Sequence, residues 1–243
     1  MIAVTRDSIS LRGAGVVTIT QQKKGARFTL DSVLLADFCT IKKPNARVLE
    51  PGAGTGIISL LLAKKFPSAT ITAIEVQPAV ADLCRCNIRD NGLNDRISLL
   101  EQDIRALSTL KPSAIDVIVA NPPYTRMGSG RQSPQEERLS SRHDRLGPIA
   151  SWLDLQLFLK NKGRYILAFP CDRLAELTSC LRARKLEPKR LRFVHSYLGK
   201  PASLVLVETI KSARIGLEIL PPLVIYQTEG VYTEEMRRIY DLP

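Results

Sequence analysis

The sequence predicts an α/β fold, a mostly parallel sheet with an antiparallel edge. Three observations carry this. Between residues 47 and 120, short apolar strand patterns alternate with helical ones, which implies parallel strands joined by right-handed crossovers. Two of those strands run into turns, at residues 48–56 (VLEPGAGTG) and 117–124 (VIVANPPY). Near the end, strands at 189–196 and 203–210 follow one another directly, as at an antiparallel edge. Open parallel sheets hold ligands outside the carboxyl ends of their strands, so both turns are expected to face one crevice.

In order, residues 15–20 (GVVTIT) predict a short strand, and 21–27 are polar and basic. A helix over about 31–40 follows, with Thr29 or Asp31 able to cap it. Strands are expected at 47–50, 69–75, 96–101 and 115–120. Helices are expected at 56–66, 78–91 and 104–110. The 56–66 helix is apolar nearly all round, hence buried. Pro78 opens the next helix and Gly92 stops it. Residues 125–146 show neither helical nor strand period and are rich in Gly, Ser and Arg, as functional or mobile loops are. A helix is expected at 148–161, a strand at 164–169 and a helix at 172–185. The end holds an apolar piece, LEILPPLVIY, and a helix at 233–240 with Thr233 as its N-cap.

The 243 residues suit one large domain with small additions, and the 44% hydrophobic content supplies a core. No apolar run reaches bilayer length and no leader pattern opens the chain, so a soluble, cytoplasmic protein is expected. Five cysteines without a CxxC read as reduced thiols, and with two histidines they suggest no metal site. The formal net charge is +11. Residues 47–120 carry eight basic and eight acidic side chains, which cancel; the excess lies in 1–46, 121–146 and above all 182–200. Basic patches of this kind attract polyanions.

Gly52, Gly54 and Gly56 form G-x-G-x-G between a strand and a helix, where glycine permits tight turning and close backbone approach. The pattern is neither the G-x-G-x-x-G of dinucleotide binders nor a phosphate-binding loop. Three acids stand at successive strand ends. Glu75 can accept both ribose hydroxyls of an adenosine. Asp103 can accept from an adenine amino group, and Glu50 can meet a cationic amino-acid moiety. A cofactor with an amine, a sulfonium and an adenosine but no phosphate suits this acidic set: S-adenosyl-L-methionine. In Asn121-Pro122-Pro123-Tyr124 the prolines lack N–H groups, leaving rigid carbonyls free to accept. Asn121 adds an amide oxygen, and Tyr124 offers a face for a flat base. Such a turn can take both protons of an exocyclic amine and position it for methyl transfer.

With these residues in hand, the chain resembles the class I S-adenosylmethionine-dependent methyltransferases over roughly residues 28–210. That resemblance implies a Rossmann-like, mostly parallel seven-stranded sheet. NPPY is shared by enzymes that methylate adenine N6, cytosine N4, guanine N2 in RNA, and protein glutamine amides. FTLDSVLLADF and the terminal GVYTEEMRRIY resemble the bacterial tRNA adenine-N6 methyltransferases acting on the anticodon loop of valine tRNA. The likeness implies that Asp31, Glu50, Gly52, Ala53, Gly54, Gly56, Glu75, Asp103, Ile104 and Asn121 line the cofactor. It implies too that Asn121, Pro122, Pro123 and Tyr124 hold the target. Residues 1–46 would then be an N-terminal strand and cofactor-covering segment, and 47–243 the methyltransferase domain with a C-terminal extension. Arg126, Lys189, Arg190 and Arg192 are the expected contacts to tRNA or another structured RNA. Two other readings are a glutamine N5-methyltransferase, which usually carries a preceding helical substrate domain, and a non-catalytic RNA-binding module. His143 within SRHD, and the leucines around Trp152, read as loop and core.

Overall fold

The computed structural model describes residues 3–25, 27–107, 110–123 and 149–242. Strands β1 (Val4–Leu11) and β2 (Gly15–Gln22) pair as an antiparallel hairpin. The first of these strands is not predicted by the sequence; its period-2 pattern is diluted because only Ile9 and Leu11 of its side chains are buried. Helix α1 (Leu30–Phe38) leads to β3 (Arg47–Pro51), α2 (Ile57–Lys65), β4 (Thr70–Glu75), α3 (Pro78–Asp90), β5 (Ile97–Glu101) and β6 (Ile115–Ala120). The short helix expected at 104–110 is one 3₁₀ turn, Ile104–Ala106.

Helix α4 (Ile149–Leu153) is far shorter than the expected 148–161. A 3₁₀ segment, Asp154–Phe158, follows it, and strand β7 (Leu159–Pro170) already begins at residue 159. Leu153, Leu155 and Leu159 are buried while Leu157 is 60% exposed, so the apolar run does not form one continuous helical stripe. Helix α5 (Leu174–Ala183), β8 (Leu186–Tyr197) and β9 (Ala202–Lys211) come next. The apolar tail piece forms β10 (Glu218–Ile219) and β11 (Leu223–Thr228), separated at Pro221 and Pro222. Strand β12 (Val231–Tyr232) and helix α6 (Glu234–Ile239) close the chain, with the Thr233 hydroxyl accepting from the Met236 N–H as the expected N-cap.

The strand order is β12-β11-β8-β9-β7-β6-β3-β4-β5, with β10 beside β8. Strands β5, β4, β3, β6 and β7 are parallel, and β9 runs antiparallel between β7 and β8. The expected antiparallel edge is thus present. The sheet has ten strands among the described residues rather than seven, because the tail adds three beyond β8.

The hairpin is fastened to α3 by two amides. Asn87, buried, donates to the Thr20 and Thr55 carbonyls (both 2.9 Å) and accepts from the Thr20 N–H (2.7 Å). Asn91 repeats the pairing with Thr18 (3.1 and 2.7 Å). These side chains occupy the outer edge of β2, and Asn87 also holds the cofactor turn through Thr55.

At the opposite end of the sheet, Asp116 in β6 accepts from Lys43 Nζ (2.6 Å), Lys160 Nζ (2.9 Å) and the Arg47 N–H (2.9 Å). Burial raises its carboxyl, but these three donors outweigh burial and hold it at about 2. A folded pKa below the unfolded value of about 3.9 stabilises the protein above that value, and the contribution is lost as pH falls toward 2. Asp116→Asn is therefore expected to cost about 2 kcal/mol at pH 7. The gap from wild type in urea unfolding should close below pH 3; a constant gap would place the cost in packing.

Candidate active site

The chain leaves β3 toward β4 and β6 toward β7, so the order reverses between β3 and β6. A crevice opens at their carboxyl ends, as at other topological switch points. The glycine turn supplies one wall. Gly52, Gly54 and Gly56 all have positive φ (64°, 58° and 90°), which L side chains rarely adopt. Space is a second constraint: a Cβ on Gly52 would lie 2.5 Å from the Trp152 ring, and one on Gly56 2.8 Å from the Cys84 sulfur. Gly54 meets nothing within 4 Å, so its backbone faces the open crevice.

Two cavities meet at this turn and share Gly52, Gly54 and Asn121. The first, about 160 Å³, is lined also by Glu50, Ala53 and residues of the segment before and within α1, among them Arg27, Phe28 and Ser32. The second, about 180 Å³, is lined also by Glu75, Asp103, Ile104, Pro123 and Trp152. The expected residues thus converge from four strand ends. Asp31 stands in the first turn of α1 beside Ser32 and outside both linings, Gly56 serves as the N-cap of α2, and Pro122 is buried behind the rim. Tyr124, Arg126, the 125–146 loop and His143 lie outside the described residues.

The three acids differ in state. Glu75, 5% exposed, accepts from the Gly54 N–H and the Gln77 N–H (both 2.9 Å). A carboxylate has about four acceptor sites, so sites remain for two hydroxyls. Glu50, 1% exposed, accepts from the Ser59 hydroxyl. Burial pushes its carboxyl up to about 8; the Ser59 bonds oppose this and the Glu75 charge adds to it. Asp103 caps the 3₁₀ turn, and the Arg105 side chain hydrogen-bonded to it at 2.9 Å holds its carboxyl below the ordinary value. Its oxygens are largely committed to Arg105, which sequence alone did not foresee.

Asn121 Nδ2 donates to Ser32 Oγ (3.1 Å), while its Oδ1 is buried and has no partner among the described residues. This orphaned acceptor, the left-handed cradle of the turn and the spare lone pairs of Glu75 are what an adenosyl cofactor and an amine substrate require. The residues fit S-adenosyl-L-methionine.

Trp152 is 2% exposed, as a core residue is, and its ring also packs on Gly52 and lines the second cavity. No local motif marks it, since its partner lies 100 residues earlier. The basic residues of β8 are more committed than their charge suggested. Arg190 pairs with buried Glu208 at 2.9 Å and lies over the Phe38 ring; Arg192 pairs with Glu235 at 2.5 Å; Lys189 donates to the Arg214 carbonyl at 3.3 Å.

Comparison with known proteins agrees with this fold. Residues 13–145 match the family described as methyltransferase small domain. A protein of Porphyromonas gingivalis named tRNA1(Val) (adenine(37)-N6)-methyltransferase is 30% identical over 79% of this chain and 76% of its own length. One of the same name from Vibrio campbellii is 28% identical over 90% of each chain. A crystal structure of a predicted O-methyltransferase from Agrobacterium tumefaciens superposes with a TM-score of 0.71 at 21% identity, over 87% of this chain and 96% of that one.

Two outcomes follow from the site's electrostatics. At pH 7 Glu50 of the free protein is mostly protonated, and a cationic amine in the first cavity favours its carboxylate. Cofactor binding is expected to release a proton at pH 7 and to tighten from pH 6 toward 7.5, below the range of about 7.7–8.0 where a free α-amine loses its own charge. Calorimetry in buffers of different ionisation enthalpy measures this; buffer-independent heats would remove Glu50 from the amine. Arg190→Ala leaves Glu208 with Arg164 at 3.5 Å as its remaining ion pair. It should lower the urea midpoint while RNA affinity changes little, and the reverse pattern would make Arg190 an RNA contact.

Proposed function

The chain belongs to the methyltransferase small domain family, and on that footing we propose that it methylates the N6 amine of an adenine in the anticodon loop of tRNA. The methyl donor is S-adenosyl-L-methionine. The relatives named above act, by their names, on adenine 37 of tRNA1(Val), and this chain aligns with most of their length.

One observation carries the reading: the Asn121 amide oxygen, buried without a partner where the two cavities meet. A buried acceptor left unpaired costs about 1–3 kcal/mol, and an exocyclic amine supplies the missing N–H. Asn121 Oδ1 accepts a hydrogen bond from one N6–H and the Pro122 carbonyl from the other. Those bonds draw the nitrogen lone pair out of conjugation with the ring and direct it. Ser32 fixes the amide from behind by accepting from Nδ2. Tyr124, which follows Pro123 in sequence, is the residue we propose for stacking on the base. The cofactor brings a methyl group already activated on a sulfonium, so a strong general base is unnecessary and positioning dominates. Glu50 and the first cavity take its amino-acid part. Glu75 takes the ribose hydroxyls, with Asp103 and Ile104 beside the adenine.

The target base must leave its stack to reach this crevice, as in other enzymes that act on a base. Lys189 and Arg126 are the proposed contacts to the RNA backbone. Among the described residues no helix is long and apolar enough to cross a membrane, and we place the protein in the cytoplasm with its tRNA.

The test is reaction with labelled cofactor and unmodified bulk tRNA, digestion to nucleosides and mass spectrometry. N6-methyladenosine is expected; another methylated nucleoside would shift the target, and none would overturn the RNA assignment. Asn121→Ala should abolish transfer and leave the cofactor dissociation constant within a few fold. Surviving activity would remove Asn121 from its role.

A further inference from the structure

The basic segment 182–200 ends in a turn between β8 and β9 that stands apart from the ion pairs along β8. Its position follows from strand register. Ala120 of β6 lies beside Leu167, Leu167 beside Val207, and Val207 beside Leu191. Leu191 is therefore level with the residue before Asn121. Strand β8 points the same way as β6 and continues to Tyr197. At about 3.3 Å per residue it extends roughly 20 Å beyond that level along its own axis, turned relative to β6 by the twist of the three intervening strand steps. It stands three strands from β6, about 14 Å at 4.8 Å per step.

The tip of this projection presents an apolar side chain on a hydrogen-bonded turn. Leu198 is 87% exposed. The Lys200 N–H donates to the Tyr197 carbonyl (3.1 Å), and His195 Nδ1 lies 2.7 Å from the Lys200 carbonyl oxygen. Leu198 is thus held in solvent by a hydrogen-bonded turn. Behind it the Tyr197 ring rests on Tyr226 (5.6 Å), Tyr226 stacks on Tyr232 (5.4 Å) and Tyr232 on Tyr240 (5.5 Å). The terminal GVYTEEMRRIY stretch, which the catalytic site does not use, supplies the last two rings. Among the described residues Tyr197 has one ring neighbour, so the column ends there.

We propose that the 197–200 turn is a docking point for the RNA substrate, with Tyr197 stacking on an unpaired base, Leu198 contacting it and Lys200 meeting a phosphate. This rests on the tRNA reading above and adds a second contact to it. The occupant is RNA because, in a chain of net charge +11, Lys200 on this turn is exposed and makes no ion pair among the described residues, and the turn stands at the end of the sheet where the crevice that must receive an extruded base opens. Bases freed from their stack are held by aromatic side chains, and a ring already fixed by its neighbours loses little entropy in doing so.

The experiment measures anisotropy of a labelled, unmodified anticodon stem–loop RNA with wild type, Tyr197→Ala, Tyr197→Phe and Leu198→Ser. Cofactor affinity, sedimentation and bulk tRNA methylation are measured alongside. Tyr197→Ala should raise the RNA dissociation constant about 5- to 150-fold. Leu198→Ser should raise it less, Tyr197→Phe should keep it near wild type, and cofactor affinity should not move. Folded variants that bind RNA like wild type overturn the inference while wild-type methylation leaves the tRNA reading standing. A changed oligomeric state with unchanged RNA affinity assigns the turn to a second copy and overturns it too. A wild type that neither binds nor methylates RNA overturns both.

Discussion

Everything in the crevice depends on how β3 lies against β6. Two residue pairs set that register, Val48 beside Val117 and Leu49 beside Ile118. The alternation along each strand makes it stiff. Val48 and Val117 point into the core cluster that contains α1, α2 and α3, whereas Leu49 and Ile118 point into the cluster around Trp152 and Tyr165. A slip by one residue would exchange the faces of a whole strand. It would also separate Glu50 and Gly52 from Asn121, which share a cavity only because the two strands end level with each other. Buried apolar contacts far from any ligand thus determine whether the amide oxygen and the glycine backbone meet.

Given that register, the chemistry of the crevice follows from unequal solvation. Glu50 and Glu75 are both nearly inaccessible and close enough to repel. Burial pushes the Glu50 carboxyl up to about 8, its single Ser59 hydroxyl only partly opposes this and the Glu75 charge adds to it, so Glu50 keeps a proton at neutral pH. The pair can tolerate burial without a ligand and accept a cation when one arrives. The Asn121 oxygen follows the same logic at a neutral site. Its companion Nδ2 is satisfied by Ser32 from α1, and that bond holds the free acceptor in place.

What was legible in the sequence is what depends on neighbours in sequence. The glycine turn declares itself because three positive φ angles within five residues need glycine, and Asn121 because prolines follow it directly. Thr233 capped its helix as its position implied. The parts that escaped depend on distant partners. Trp152 lines the crevice through a contact with Gly52, and Arg190 is held by Glu208 and Phe38; neither partner can be inferred from the residue's surroundings. The seven strands of the fold were readable, but the tail's extra strands were masked by Pro221 and Pro222, which resemble a loop until the edge of β8 is seen to accept strands on both sides of them.

The distribution of charge bears on how RNA would be recognised. Within 182–200, Arg182 is within 4.0 Å of Glu187, Arg184 pairs with Asp154, Arg190 with Glu208 and Arg192 with Glu235. The formal excess there overstates the charge a phosphate backbone would feel, because a cation already neutralised by a carboxylate releases fewer counterions on binding. A protein built this way gains less from long-range attraction and more from contacts that require an exposed base. The aromatic column and the exposed Leu198 lie on the same end of the sheet as Asn121, and both are suited to a base outside a helix. Selectivity for a loop over a duplex would then arise from two sites with one requirement: each needs a base that is not stacked on its neighbours.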